Sequence, residues 1–327
     1  MVKAIALLSG GLDSTLAVRL ILEQNIDVIA LNFVTPFCTC TRKGCSHQAI
    51  KVAKELGIDL RVISAKKEYI DLIKNPRHGY GKNMNPCIDC RIFMFSEARK
   101  FMSATNASFI FTGEVLGQRP MSQHRKALEI IERESNLTGR VLRPLCAALL
   151  EPTIPEIEGS IDRRRLLAIT GRSRKSQISL AKKKGLDNYL CPAGGCRLTD
   201  RNYAIRLKES FEHDEDSLSD VILLRYGRHF RLPSGAKVIV GRNESENNVL
   251  CSISAHGNTL LLETKDYVGP ITLLNKYKDA EDIRMAANLC LTYSDYERKD
   301  AAKVTIGDDS EIMAIPLSPE DTKALRI

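Results

Sequence analysis

Ser9-Gly10-Gly11-Leu12-Asp13-Ser14 stands between a short apolar run and a helical pattern, where a strand would turn into a helix. Glycines there let the backbone turn tightly and present N–H groups with no Cβ in the way. Ser9 and Ser14 contribute hydroxyl donors, and the start of a helix adds partial positive charge. Together these make a cradle for an anion such as a nucleotide phosphate. Asp13 is unusual in a pure anion site; it suits a carboxylate that orients the loop or helps to hold Mg²⁺. The string is neither GxxxxGK[ST] nor GxGxxG, so the common mononucleotide and dinucleotide loops are set aside.

The second chemistry is that of sulfur. Ten cysteines stand at 38, 40, 45, 87, 90, 146, 191, 196, 251 and 290, seven of them in three groups. Met1-Val2-Lys3 runs straight into a strand-like segment, so no secretory signal is expected and the cytoplasm is the expected compartment. Grouped thiols in a reducing compartment read as metal binding or thiol chemistry rather than as a disulfide framework. Cys87 and Cys90, three apart, can grip one metal, as in a zinc clip, or exchange sulfur with each other. Cys38, Cys40 and Cys45 fit a second metal or a sulfur relay. Cys146, Cys251 and Cys290 are solitary and read as packing residues. His47, beside Cys45, reads as a capping or surface residue.

These groups need elements to position them. Residues 4–8, 27–33, 60–63 and 108–111 read as apolar strands, separated by helical patterns around 16–21, 48–56 and 92–102. That alternation predicts an α/β fold with a parallel sheet covered on both faces. Ligands in such sheets bind beyond the carboxyl ends of the strands. The glycine turn at 10–11, the cysteines at 38–45 and Thr112-Gly113 should therefore converge.

Residues 161–184 read as helical, and from Arg163 to Lys184 there are nine Lys or Arg and no acid. His213–Asp220 is polar and acidic and marks a domain edge; beyond it, residues 221–224, 237–240 and 259–263 are β-like runs. The expected organisation is a catalytic domain at 1–212 and a smaller β-rich α+β domain at 213–327. Residues 1–210 carry 34 basic and 20 acidic side chains, whereas 211–327 carry 14 and 20. A polyanion would thus be drawn to the first part. No stretch approaches the roughly 20 apolar residues that span a bilayer.

The loop at 9–14 resembles the SGGxDS signature of the PP-loop ATP pyrophosphatase superfamily. Thr112-Gly113-Glu114-Val115-Leu116-Gly117-Gln118-Arg119-Pro120-Met121-Ser122-Gln123, followed by Arg143-Pro144-Leu145, resembles the TGExLGQxxSQ and RPL segments of tRNA 4-thiouridine synthases. Gln118, Arg119 and Gln123 there offer donors to phosphate or base. Asn85-Pro86-Cys87-Ile88-Asp89-Cys90 looks like the NPCxxC of 2-thiouridine and 4-thiouridine synthases. Cys191-Pro192-Ala193-Gly194-Gly195-Cys196 is similar to a motif of thiouridine synthases that carry a [4Fe–4S] cluster. The tail, with Leu224–Phe230 and Gly241–Asn248, resembles the NFACT-R (DUF814) domain.

The resemblance implies an ATP-dependent tRNA uridine sulfurtransferase that splits ATP to AMP and pyrophosphate, with the 4-thio product favoured. It implies nucleotide binding by Ser9, Gly10, Gly11, Asp13, Ser14, Asn32, Thr112, Gly113 and Gln118. Asp13, Cys87, Cys90 and Cys196 are then the catalytic residues. Cys87, Cys90 and Cys196 would hold the cluster, with Cys191 in reserve and Zn²⁺ as the alternative metal. Expected partners are tRNA, ATP with Mg²⁺, and a sulfur donor, either inorganic sulfide or a cysteine desulfurase. No membrane is expected, and a homodimer is an option. In the tail, Arg225, Arg228, His229, Arg231 and Arg242 are candidates for RNA phosphates, and Tyr226 and Phe230 for stacking on a base. Rival readings are a persulfide-relay 2-thiouridine synthase, a small-molecule synthetase with a structural zinc, and a non-catalytic RNA-binding factor.

Overall fold

The computed structural model describes residues 2–39, 44–186, 195–254, 259–297, 300–307 and 310–327. It divides into two compact units, Met1–Arg201 and Asn202–Ile327.

In the first unit, strands β1 (Lys3–Leu7), β2 (Asp27–Val34), β3 (Asp59–Ser64), β4 (Phe109–Thr112) and β5 (Val141–Leu142) form one parallel sheet in the order β3-β2-β1-β4-β5. Helices α1 (Leu12–Leu22), α2 (Gly44–Leu56), α3 (Lys67–Lys74), α4 (Cys87–Ala104), α5 (Arg125–Glu134), α6 (Ile154–Ile157) and α7 (Lys175–Lys183) complete it. β1 is central, and its Ala4, Ile5 and Ala6 are buried on both faces, as a continuous apolar run requires. Ala4 and Ala6 pack with Ala17, Val18 and Ile21 of α1, while Ile5 packs with Phe95 and Ala98 of α4. The chain runs outward from β1 to β3 and then returns to lay β4 on the other side of β1. This reversal opens a crevice at the carboxyl ends of β1 and β4, where Leu7 and Thr112 are paired neighbours.

The basic stretch is less helical than its composition suggests. Residues 163–165 form a single tight turn, and only Lys175–Lys183 is α-helix. Five of its nine cations meet oxygens of the same unit: Arg163 with Glu156, Arg164 with Asp162, Arg165 with the Glu23 carbonyl, Arg174 with Asp13 and Lys184 with Glu23. Arg172, Lys175, Lys182 and Lys183 are exposed. A count of charges in the sequence cannot distinguish the two sets, because Arg165, Arg174 and Lys184 find their partners far back along the chain, on α1 and its C-cap.

The second unit holds α8 (Arg201–Glu212, from Asn202 onward), α9 (Leu218–Leu223), β6 (Arg228–Arg231), β7 (Lys237–Val240), α10 (Glu244–Ser254), β8 (Thr259–Thr264), β9 (Thr272–Asn275), α11 (Ala280–Thr292), β10 (Ala302–Ile306), β11 (Ser310–Ala314) and α12 (Pro319–Leu325). Its six strands form an antiparallel sheet in the order β11-β10-β8-β9-β7-β6. Ala286, Ala287 and Leu289 of α11 join the core of this sheet. Residues 221–224, expected as a strand, fall on α9 and its C-cap. Ser217 and Asp220 close a capping box there, which starts a helix despite the aliphatic run. Helix α8 packs with the second unit rather than closing the first, because Glu209 pairs with Arg231 and the Tyr203 hydroxyl donates to the Val221 carbonyl.

Several tail residues expected at RNA are structural. Phe230 is wholly buried, and buried His229 shares a hydrogen bond between Nε2 and the Tyr226 carbonyl. Arg231 is bound by Glu209 and Glu215, whereas Arg242 pairs with Glu246 and stays exposed. Glu215, inside the acidic stretch expected at the domain edge, is buried. Arg228 lies over the Tyr293 ring, 4.6 Å from its centroid, and Arg225 lies 5.9 Å from that of Tyr226. Cys146 and Cys290 are buried as expected of packing residues, but Cys251 is exposed. Among the described residues, no helix is long and apolar enough to cross a membrane.

Candidate active site

β1 delivers Ser9 to the crevice, and α1 begins immediately after the turn. Ser9 Oγ and Ser14 Oγ are 3.1 Å apart, while Ser14 Oγ and Thr15 Oγ1 donate to the Gly11 carbonyl at 3.0 and 2.9 Å. Gly11 is the N-cap of α1 and no side chain caps that end, so backbone N–H groups at the helix start face the position an anion would take. Gly10 has φ +74°, and a Cβ there would stand 2.7 Å from the Ala49 amide nitrogen on α2. Asn32, on β2, donates to the Leu8 carbonyl at 2.8 Å and steadies the loop's entry; its buried Oδ1 has no partner among the described residues. Thr112 turns its hydroxyl to the buried Glu114. Gly113 follows, so close to the loop that a Cβ would lie 2.4 Å from the Asp13 carbonyl carbon and the Ser14 nitrogen.

Asp13 is fixed from two directions. Gln118 Nε2 donates to Asp13 Oδ2 at 2.7 Å, and Arg174 approaches the same oxygen at 3.4 Å. Gln177 Nε2, on α7, donates to Gln118 Oε1 at 3.0 Å. The other carboxylate oxygen, Oδ1, is buried without a partner among the described residues. A desolvated oxygen of this kind is costly unless something fills its place, and a hydrated Mg²⁺ has the matching chemistry. The nucleotide residues expected from the sequence are thus brought together: Ser9, Gly10, Gly11, Asp13, Ser14, Asn32, Thr112, Gly113 and Gln118 share one crevice. Gln123 is buried, its carbonyl accepting from the Gly117 amide at 2.7 Å, so it shapes the loop rather than its rim.

The cysteines approach the same rim. Cys87 and Cys90 occupy one turn at the start of α4, on one face. Cys90 Sγ is 3.0 Å from Tyr69 Oη. Cys196 arrives on a different segment, held by a hydrogen bond from the Met84 amide to the Leu198 carbonyl at 3.2 Å and from Asn83 Nδ2 to the Thr199 carbonyl at 2.8 Å. Burial pushes the Cys196 thiol up to about 12, and Cys90, Cys87 and Cys38 reinforce it. Burial also raises Cys87 and Cys90, against the pull of Arg91, Arg119 and Asn85 on Cys87 and of Tyr69 and Arg91 on Cys90. Close thiols that resist ionisation one by one suit a group that accepts their charge together. Cys40 and Cys191, and the side chain of Cys45, lie outside the described residues.

A single tetrahedral ion needs donors gathered on one point at about 2.3 Å. Among the described residues no three His, Cys, Asp or Glu side chains gather so. A [4Fe–4S] cluster instead places each thiolate on a different iron and spreads its ligands around a cube. Cys87, Cys90 and Cys196, on two segments with mutually felt charges, have the donor chemistry for that group.

Three arginines complete the rim. Partial loss of solvent, together with Arg91 and Arg174, lowers the Arg119 guanidinium from its usual value, while Cys87 and Asp13 oppose the shift. Arg91 Nε is also 3.3 Å from Glu114, whose other oxygen meets buried Arg143 at 3.1 Å. Arg143 of the RPL string is therefore a structural cation. Arg91, Arg174, Gln177 and Tyr69 were missed in the sequence. Arg91 follows the CxxC directly and Arg174 sits in the basic run, but nothing marked Tyr69 or Gln177.

Residues 1–154 match the family profile described as thiamine biosynthesis protein (ThiI), and residues 227–325 that described as NFACT protein RNA binding domain. The chain is 31% identical over 229 residues to the tRNA-specific 2-thiouridylase MnmA of Petrotoga mobilis, covering 64% of this chain and 59% of that protein. It is 30% identical over 148 residues to a probable tRNA sulfurtransferase of Ureaplasma parvum, covering 44% of this chain and 37% of that one. It thus spans less than two thirds of either relative. A crystal structure of a 4-thiouridine synthetase–RNA complex with bound ATP aligns at 22% identity and a TM-score of 0.39, covering 67% of this chain and 53% of that one. Residues 1–154 are thus similar to the ThiI family and residues 227–325 to the NFACT RNA-binding family.

Proposed function

We propose that the chain is an ATP-dependent tRNA sulfurtransferase. The observation that carries this reading is the meeting, at one crevice, of an uncapped helix start, the fixed Asp13 and a cysteine group under a rim of arginines. ATP would lay its terminal phosphates on residues 9–14, with Mg²⁺ beside Asp13 Oδ1. The uracil carbonyl oxygen attacks the α-phosphate, pyrophosphate leaves, and the base carries AMP. Activation is needed because a carbonyl oxygen leaves poorly until it bears a phosphate. A sulfur nucleophile then expels AMP. Arg91, Arg119 and Arg174 neutralise phosphate charge on both sides of the step, and Gln118 with Gln177 keeps Asp13 in register. A [4Fe–4S] cluster at Cys87, Cys90 and Cys196 would supply an iron with no protein ligand, at which sulfide can be activated.

The test is anaerobic reconstitution, with AMP, pyrophosphate and thionucleosides measured. Bulk tRNA should stimulate AMP formation, and the protein should bind about four iron atoms per chain. Cys196→Ser should lose iron and thiolation together while still binding ATP. ATP cleavage indifferent to tRNA would refute the enzyme reading; an iron-free, colourless chain that thiolates would refute the cluster. Mass spectrometry of the nucleosides distinguishes the 4-thio product, favoured by the 112–123 string, from the 2-thio product of the Petrotoga relative.

RNA contact by the second unit is assigned to a cleft of about 370 Å³ beside α12, lined by Tyr293, Leu317, Thr322, Lys323 and Arg326. Lys323 and Arg326 are exposed there, and the buried Thr322 hydroxyl has no partner among the described residues. Replacing both cations with glutamate should weaken tRNA binding and reduce the salt dependence of log K by roughly 1.5–2. An unchanged slope would place the RNA elsewhere.

A further inference from the structure

Beyond β2 the chain passes through Phe37, Cys38 and Thr39 and runs antiparallel to Gly195, Cys196 and Arg197. The Arg197 amide donates to the Phe37 carbonyl at 2.7 Å, and the Thr39 amide to the Gly195 carbonyl at 3.2 Å. These bonds flank an isolated antiparallel bridge between Cys38 and Cys196. The two cysteines are therefore a non-hydrogen-bonded pair, the class that brings Cα atoms to about 4.5 Å with side chains close together. That spacing falls in the range of about 4.4–6.8 Å spanned by disulfides. Both limbs are anchored. Phe37 is fully buried against Tyr69, with ring centroids 6.0 Å apart, and Leu198 is buried with its carbonyl held by Met84. Thr39 Oγ1 adds a hydrogen bond to the Gly195 carbonyl at 2.9 Å.

We infer that Cys38 and Cys196 form a reversible disulfide that withdraws Cys196 from the sulfur centre. The second half of this statement rests on the sulfurtransferase reading above. The oxidant is a small-molecule disulfide. One cysteine thiolate attacks it, and a mixed disulfide forms as the first small thiolate leaves. The second cysteine then attacks the mixed disulfide at the protein sulfur, closing the Cys38–Cys196 bond and expelling the second thiolate. The pair loses two protons and two electrons; the oxidant becomes two thiols. A dithiol reductant reverses both exchanges. Once bonded to Cys38, Cys196 has no thiolate to offer Cys87 and Cys90, so sulfur chemistry stops while the nucleotide crevice stays built.

The test oxidises the full chain, purified without bound metal, with oxidised glutathione, alkylates the remaining thiols and maps the peptides by mass spectrometry. A Cys38–Cys196 cross-linked peptide, reversed by dithiothreitol, is the expected result. Cys38→Ser should keep thiolation activity once reconstituted under reducing conditions, and its metal-free form treated with oxidised glutathione should keep the iron uptake and thiolation that the treated parent chain loses. A cross-link from Cys196 to Cys87, Cys90 or Cys40, or full alkylation of both Cys38 and Cys196, would overturn the pair. So would a Cys38→Ser chain inactivated at the parent's rate. The cross-link is read by mass and needs no activity. A chain that cross-links as expected but never thiolates tRNA when reduced counts against the sulfurtransferase reading alone.

Discussion

Gly113→Ala should lower AMP formation by about 100-fold or more, the scale of loss when a reacting group is displaced by about an ångström. The added methyl carbon would meet Asp13 and Ser14 backbone atoms at 2.4 Å. Neither side can yield cheaply. Gly113 follows β4, which is paired with both β1 and β5, and Asp13 lies in the first turn of α1. The clash must move the phosphate loop away from β4, which shifts the N–H groups of the cradle and pulls Asp13 from Gln118 and Arg174. ATP titration and AMP release measure the effect on the full chain. Hydrogen exchange in the second unit should be unchanged, which separates this local displacement from general misfolding. Activity within a few-fold of the parent would mean that the loop does not hold the reacting nucleotide.

Glu215→Gln should destabilise the second unit by about 3–5 kcal/mol, the cost of leaving buried charges without their partner. Glu215 takes Arg231 Nη1 at 2.7 Å and Lys237 Nζ at 2.6 Å, and both it and Lys237 are under 5% exposed. Burial alone would raise the Glu215 carboxyl, but the hydrogen bonds and charges of Arg231 and Lys237 outweigh it and lower the group to about 2. Burial still leaves Lys237 below the usual lysine value. A carboxyl whose folded value lies below its unfolded one stabilises the fold above the unfolded value. That contribution fades as pH falls from about 4.5 towards about 2. Exchange protection of β6 and β7 in the full chain should therefore decline over this window, and Glu215→Gln should remove both the protection and its pH dependence. Equal protection in parent and variant at neutral pH would contradict the role given to this carboxylate.

The parallel sheet was legible because the buried strands β1 and β4 and most of β2 read as continuous β-branched, aliphatic or aromatic runs. All four of β1 to β4 lie within a residue or two of their expected ends, the exposed edge strand β3 included. The phosphate loop was legible because its parts are neighbours in the chain. Cys87 and Cys90 were legible for the same reason. The tail was misread where local chemistry looked solvent-facing. Arg231 and His229 have the residue types of an RNA surface, but both faces of β6 are covered, so that His229 is buried, and the distant Glu209 and Glu215 hold Arg231. Residues 221–224 looked like a strand until the capping box at Ser217 is taken into account.

The sequence by itself determined the chemistry available: an anion cradle, a set of thiols, a cationic stretch, and the sheet whose carboxyl ends they had to reach. Tertiary structure decided which of them meet. It set Arg174 on Asp13 and Gln177 on Gln118, and it laid Cys38 opposite Cys196 in an antiparallel bridge. Short-range patterns encode what a segment is, because backbone propensity and capping act over a few residues. Partnership between groups more than a hundred residues apart is fixed only when the sheet order and the packing of α1 against α7 bring their segments together.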